Sequence, residues 1–337
     1  MPDMHLGQAV DRAIEDAMAR DETIILIGED APMLRAPLFA RFGSDRVLAA
    51  PISESAFIGA AAGAAMAGLR PVVELYMVDF IAVAFDAVLN HIAKLEAFSG
   101  GSWKAPLVIR APSGAGYGDG GQHGQSLWSS LAAIPGLTVV VASTPADAYG
   151  LMASALTHDG PVIFMEPKLL SDDWLEFLGK GGRDNLEFDI PADGAFGEVP
   201  KPPHAVALGR AAIRREGSDV TIASLAVGVH RSIEAAERLE GQGVSCEVID
   251  LRSLRPLDES TLVASVGKTG RLVVVDEDYR EFGLSGELAA ICLEAGLSPG
   301  FARVCVEDTL PYARHLEEAA LPNVDRIVDA VGNLVQR

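Results

Sequence analysis

One carboxylate opens a stretch that is otherwise almost wholly small or apolar: Pro51-Ile52-Ser53-Glu54-Ser55-Ala56-Phe57-Ile58-Gly59-Ala60-Ala61-Ala62-Gly63-Ala64-Ala65-Met66-Ala67-Gly68. The composition predicts a helix from Glu54, with no polar face for solvent. Such a helix is expected to be buried, at a contact between subunits, because soluble monomers rarely expose large apolar patches. Glu54 at its mouth is either a partner of the helix macrodipole, worth ~0.3–1 kcal/mol, or a working acid/base in a dry site.

The second candidate is the loop Ala111-Pro112-Ser113-Gly114-Ala115-Gly116-Tyr117-Gly118-Asp119-Gly120-Gly121-Gln122-His123-Gly124-Gln125-Ser126. It follows an apolar strand pattern and so falls at the carboxyl end of a sheet, where open α/β folds bind ligands. Its glycines permit unusual dihedrals and close approach to a ligand. His123 is a proton shuttle or a surface histidine. A literal G-x-G is present, but no G-x-G-x-x-G enters a helix ahead of a ribose-binding acid, and there is no Walker A sequence. The third candidate is Glu74-Leu75-Tyr76-Met77-Val78-Asp79-Phe80, a strand end entering a helix. Phe80 can pave a ring-binding pocket or belong to the core, and Asp79 can be an N-cap.

These residues need a scaffold of alternating strands and helices. Residues 5–20 read as an amphipathic helix and 23–28 as a strand. Strands follow at 47–50, 71–76, 106–110, 137–141 and 161–165, with helices from 54, over 79–98 and over 145–157. This alternation implies a parallel sheet with helices on both faces. The pattern dissolves between about 167 and 204, where Gly179-Lys180-Gly181-Gly182-Arg183 and Val199-Pro200-Lys201-Pro202-Pro203-His204 read as linker. A second α/β unit follows, with strands near 220–225, 244–249, 271–276 and 302–306 and helices near 228–241, 258–266, 284–295 and 324–336. The expected division is 1–175, a linker at 176–204, and 205–337.

Bulk properties bound the partners. The 337-residue chain is 49% hydrophobic with a net charge of −20. That charge argues against nucleic acid and anionic membrane as partners. No apolar run reaches the ~18 residues of a membrane span. The first residues show no basic segment followed by an apolar one, so no secretory signal is expected. Cys246, Cys292 and Cys305 sit in apolar patterns without metal or redox spacing, the expectation for reduced, buried thiols of a cytoplasmic protein.

Several segments together resemble a known family: PISESAFIGAAAGAAMAGLRPVVE, ELYMVDF, FDAVLNHIAK, GGQHGQS, IPGLTVVVASTPADAYGLM, DGPVIFMEPKLL, VIDLRSLRPLDESTL, GKTGRLVVVDED and LPNVDRIVDAV. In this order, over nearly the whole chain, they are similar to the β subunit of the E1 component of thiamine-diphosphate-dependent 2-oxo acid dehydrogenases, of the pyruvate, branched-chain and acetoin type. The resemblance implies a pyrimidine-binding α/β domain followed by a transketolase-like C-terminal α/β domain.

It also implies roles. Glu54, with Ser53 beside it, matches the glutamate that hydrogen-bonds the aminopyrimidine ring nitrogen and drives deprotonation of the thiazolium carbon. Phe80 matches the aromatic that stacks on the pyrimidine, and His123 a histidine near the substrate that assists acyl transfer to lipoyl. Leu107, Ala155, His158 and Gly160 match positions whose carbonyls hold a structural potassium ion. Thiamine enzymes hold magnesium diphosphate through Gly-Asp-Gly and, a helix later, an asparagine pair. Gly118-Asp119-Gly120 is present, but no Asn follows before Asn185, so the triplet reads as coincidence.

The resemblance therefore implies half a site. A separate E1 α subunit would supply the diphosphate and Mg2+ ligands in an α2β2 heterotetramer, and a lipoylated E2 acyltransferase would accept the acyl group. Family members often carry Ser where Gly124 follows His123, and the segment after Gly28-Glu29-Asp30 is short, which leaves the choice between a 2-oxo acid and acetoin open. Two other readings remain: half of a split transketolase-like enzyme that moves a ketol unit, and a non-catalytic assembly subunit. The segments around Glu54, Phe80 and His123 are poor in the His and basic residues that ketol transfer between sugars needs. A retired site would have no need of a buried Glu54.

Overall fold

The computed structural model describes residues 3–118, 120–171, 196–201 and 204–336. The first part of the chain forms β1 (Met4–His5), α1 (Leu6–Met18), β2 (Ile24–Glu29), α2 (Ala31–Leu34), α3 (Ala36–Phe42), β3 (Val47–Ala50), α4 (Glu54–Met66) and β4 (Arg70–Glu74). After a broken helical stretch come α5 (Leu95–Phe98), β5 (Val108–Ser113), α6 (Trp128–Ala132), β6 (Thr138–Val141), α7 (Pro145–Thr157) and β7 (Val162–Pro167). The second part forms β8 (Phe196–Gly197), β9 (Ala212–Arg215), β10 (Val220–Ser224), α8 (Val227–Glu240), β11 (Cys246–Asp250) and β12 (Ser253–Arg255). It ends with α9 (Glu259–Thr269), β13 (Arg271–Tyr279), α10 (Leu284–Glu294), β14 (Gly300–Val306), α11 (Arg314–Ala320) and α12 (Val324–Val335).

Among the described residues there are two large sheets, in keeping with the two α/β domains expected. The first has the order β12-β6-β7-β5-β4-β2-β3, and the second β14-β13-β10-β11-β9. Strands β2 to β7 pair in parallel, as do β10 with β11 and β13, and β13 with β14. The near-continuous runs of Val, Ile and Leu in these strands suit burial on both faces. Leu6, Ala9, Val10, Ala13, Ile14 and Met18 of α1 recur at helical spacing and are buried with α7 against one face of the first sheet. The other face shares one apolar core with the second domain, from Phe57 and Ile109 through Trp128 to Leu251 and Leu284. A separate core under α8 and α12 covers the outer face of the second sheet.

Two features lay outside the sequence pattern. Strand β12, far along the chain, returns to the first sheet and pairs antiparallel with β6, with Ser253 opposite Val140. Phe196 and Gly197, inside the stretch expected as linker, pair with His5 and Met4. The rest of that linker, 176–195 and 202–203, lies outside the described residues.

The helix expected over 79–98 is broken. Val78–Ala82 is a 3-10 turn, Ala87–His91 a π turn and Ile92–Lys94 another 3-10 turn before α5. One cause is visible: the Val83 carbonyl, which a continuous helix would offer to residue 87, accepts from Ser55 Oγ at 2.6 Å. The π turn keeps Val88, Ile92 and Ala93 in the core.

Gly136 secures this region from below. It has φ +97°, and a Cβ there would lie 1.9 Å from the Ala93 carbonyl oxygen. Gly136→Ala is therefore expected to cost about 2–4 kcal/mol, at the upper end for single substitutions. Urea unfolding should show the loss as a lower midpoint with an unchanged slope, and an unchanged midpoint would contradict it.

Helix α4 is half-buried within this chain, not wholly. Glu54, Phe57, Ile58, Ala61 and Ala65 face the core, whereas Ser55, Ala56, Gly59, Ala60, Gly63 and Met66 are exposed. A Cβ added at Gly59 or Gly63 would meet nothing within 4 Å. Ile52, Met66, Val83, Phe85 and Phe98 are exposed as well. The three cysteines are free and buried, as their sequence settings suggested. No helix among the described residues is long and apolar enough to cross a membrane.

Candidate active site

Four adjacent parallel strands, β3, β2, β4 and β5, deliver the candidate residues to one edge. Glu54 follows β3, Glu29 ends β2, Phe80 follows β4, and His123 lies in the loop after β5. The edge is the carboxyl end of the sheet, where the strand ends leave a crevice for ligands.

Glu54 is the first residue of α4 and is 9% exposed. Ser53, the residue before the helix, makes no side-chain cap; its hydroxyl turns back to the Pro51 carbonyl at 3.1 Å. The Ser55–Val83 hydrogen bond ties this helix start to the turn that carries Phe80. Glu29 stands close enough to feel the site's charge. Burial, Asp30 and Glu54 together raise its carboxyl above the usual range. Sequence reasoning passed over Glu29, although an acid at the carboxyl end of a strand was the available signal.

Phe80 and His123 are brought together. Their rings meet edge to face with centroids 5.5 Å apart and planes at 79°. Lys168, just beyond β7 and 1% exposed, donates from Nζ to the His123 carbonyl at 2.5 Å. The same ammonium lies 5.2 Å from the Tyr117 ring centroid, and Tyr117 Oη donates to the Lys168 carbonyl at 2.9 Å. Asp79 is not an N-cap: Met77 precedes the 3-10 turn, and Asp79 lies within it. Its Oδ1 accepts from the backbone N–H of Gln125 at 3.2 Å and from Gln125 Nε2 at 2.9 Å.

The glycine-rich loop is held from the second domain. Glu317 of α11, fully buried, accepts from Gly116 N at 3.1 Å and from Gly118 N at 2.8 Å. Gly116 has φ +111°, and a Cβ there would lie 2.7 Å from Leu169. A carboxylate thus occupies N–H groups that a phosphate cradle would need free. The reading of Gly118-Asp119-Gly120 as a chance triplet falls partly on Asp119, outside the described residues.

Beneath the edge lies a buried ion-pair network. Arg110 of β5 donates from Nε to Glu166 Oε2 at 2.7 Å and from Nη1 to Glu74 Oε1 at 3.2 Å. Arg35 donates to both Glu74 oxygens at 3.2 Å, and Tyr76 Oη donates to Glu74 Oε2 at 2.7 Å. Burial would raise the Glu74 carboxyl, but Arg110 and Arg35 outweigh it and bring it down to about 2. Glu74 and Tyr76 fell within the third candidate segment, but their partners Arg35, Arg110 and Glu166 were not singled out, since they are scattered along the chain.

Leu107, Ala155, His158 and Gly160 fall at the opposite edge, where β5 and β7 begin. The Leu107 carbonyl accepts from Val162 N at 3.0 Å and the Ala155 carbonyl from His158 N at 3.1 Å. The His158 carbonyl accepts from Arg70 Nη1 at 3.3 Å.

Comparison with known proteins identifies the family and the fold. Residues 3–172 match the family model for the transketolase pyrimidine-binding domain, and 209–327 the model for the transketolase C-terminal domain. The chain is 36% identical to the mitochondrial pyruvate dehydrogenase E1 component subunit beta of Dictyostelium discoideum, over 98% of this chain and 90% of that one. It is 37% identical to the beta subunit of acetoin:2,6-dichlorophenolindophenol oxidoreductase from Cupriavidus necator, covering 96% and 94%. To the 2-oxoisovalerate dehydrogenase subunit beta of Bacillus subtilis it is 34% identical, covering 97% of each. In fold it is similar to a split-gene transketolase solved as an inactive beta4 tetramer, with a TM-score of 0.77, 23% identity, and coverage of 99% and 98%.

Proposed function

Because this chain belongs to the transketolase-like family of E1 beta subunits of thiamine-diphosphate-dependent 2-oxo acid and acetoin dehydrogenases, we propose that it carries the pyrimidine half of a cofactor site completed by an α subunit. The observation that carries this reading is the convergence of buried Glu54 with the Phe80–His123 pair on one sheet edge. The loop that could mimic a diphosphate cradle, meanwhile, is filled by Glu317.

When bound, thiamine diphosphate supplies the nucleophilic carbon and electron sink that 2-oxo acid cleavage requires. Glu54 would hold the pyrimidine ring nitrogen through its carboxyl group and exchange a proton with it. Phe80 offers a ring face to the pyrimidine. His123, near the substrate, would assist acyl transfer to lipoyl on E2. The α subunit brings the diphosphate and Mg2+ ligands, in an α2β2 assembly. Leu107, Ala155, His158 and Gly160 would hold a potassium ion through their carbonyls. The open face of α4 and the exposed Ile52, Val83, Phe85 and Phe98 are the surface this assembly covers. Free, buried thiols suit a cytoplasmic location.

The test is dye-coupled turnover of pyruvate, branched 2-oxo acids and acetoin with thiamine diphosphate and Mg2+. It is run on this chain alone and on the chain co-purified with its α subunit. Turnover in the mixed sample only is the expected result, and it names the substrate. Turnover by this chain alone would overturn the half-site reading. Silence in a stable complex would favour ketol transfer or an assembly role.

A further inference from the structure

Asp79 is a buried carboxylate that holds a loop distant from it in sequence. It is 8% exposed. One oxygen, Oδ1, takes both hydrogen bonds from Gln125. The other, Oδ2, is buried with no hydrogen-bond partner among the described residues. An asparagine oxygen could accept the same two bonds without a charge to desolvate, so a carboxylate here costs stability. Such departures from good local design gather at functional sites.

The neighbours of Asp79 show what it controls. The next residue is Phe80, and Gln125 is two residues beyond His123, so the Asp79–Gln125 pair spans the base of the ring contact between them. Gln125 Oε1 in turn accepts from Tyr279 Oη at 3.0 Å, at the end of β13 in the second domain. Three segments distant in sequence thus meet at Gln125.

We propose that Asp79 is a positioning residue that sets His123 against Phe80, and that the Gln125–Tyr279 bond ties this setting to the second domain. The assignment rests on the proposed roles of Phe80 and His123. It predicts that Asp79 matters more for the step that needs His123 than for those that need only Glu54 and Phe80. Misplacement by about 1 Å in such a site costs on the order of 10²-fold.

The test uses the complex with the α subunit. Without cofactor, carbethoxylation of His123 by diethyl pyrocarbonate is followed by peptide mapping, with exposed His204 as internal reference. Asp79→Ala should raise the His123 rate at least ~3-fold relative to His204, whereas Asp79→Asn, which keeps an acceptor oxygen, should stay near wild type. With cofactor, Asp79→Ala should lower acyl transfer to free lipoamide by ~10–100-fold and dye-coupled turnover by much less. If Asp79→Ala does not fold, Gln125→Leu removes the side-chain end of the bridge and should expose His123 likewise. Unchanged His123 reactivity in the folded variant, or equal loss of both activities, overturns the proposal. A wild-type complex with no turnover would instead count against the enzymatic reading, and the His123 rates would still decide whether Asp79 positions the loop.

Discussion

Glu54→Gln is expected to lower thiamine-diphosphate-dependent turnover by ~10²–10³-fold, the range for loss of a positioned acid/base, and to leave folding and assembly intact. Glutamine matches the shape of the side chain and keeps a hydrogen-bonding oxygen, but it cannot exchange a proton with a ring nitrogen. The competing account is electrostatic. Glu54 heads α4 and is 9% exposed, so its charge also favours the helix terminus. That interaction is worth only ~0.3–1 kcal/mol, which predicts a melting shift of about 0.5–1.5 °C for a chain of this size and no loss of turnover. The two accounts separate cleanly when melting and dye reduction are measured on one preparation of the complex. Near-normal turnover with a small melting shift would leave Glu54 as a helix-dipole partner. A normal melt with turnover at background would assign it to the chemistry.

Arg110→Met is expected to be the most destabilising single change beneath the site, costing about 3–5 kcal/mol and lowering the melting temperature by roughly 4–7 °C. Arg110 is fully buried and serves Glu166, Glu74 and Asp11 together. Without it, Arg35 faces three carboxylates, and buried Glu166 loses its 2.7 Å partner. The methionine fills the volume but compensates no charge.

The same network carries a pH signature. Glu74 is held at about 2, below its ordinary 4.5, so its stabilising contribution is complete above about 4.5 and fades as pH falls toward 2. Wild-type stability should therefore decline across that window, and Arg110→Met should flatten the Glu74 part of the decline. A melting shift under 2 °C, or an acid limb identical in both proteins, would refute this role. Activity should fall as well, because β4 leads into the Phe80 turn and β5 into the His123 loop.

The alternation of apolar runs with helical periods determined the class of fold, since a strand buried on both faces and an amphipathic helix each write their own period. Glu54, Phe80 and His123 were legible as candidates because each stands where a strand pattern ends, and strand ends of a parallel sheet share an edge. The resemblance of ordered segments then supplied roles that composition could not. What remained hidden depended on pairings between distant residues. The helix expected over 79–98 is broken where Ser55 takes the Val83 carbonyl, a contact no local propensity encodes.

Asp79 read as a cap because a lone acid near a helix start has that commonest local use, yet its partner lies at Gln125. The return of β12 to the first sheet, the Glu317 clamp on Gly116 and Gly118, and the Arg35–Glu74–Arg110–Glu166 network likewise join residues far apart in the chain. Periodicity is a property of neighbours in sequence, so the sequence by itself determined the elements and the edge on which they converge. Long-range hydrogen bonds and buried charges depend on three-dimensional proximity, and only the tertiary structure decided what orients His123 and what balances the charges beneath it.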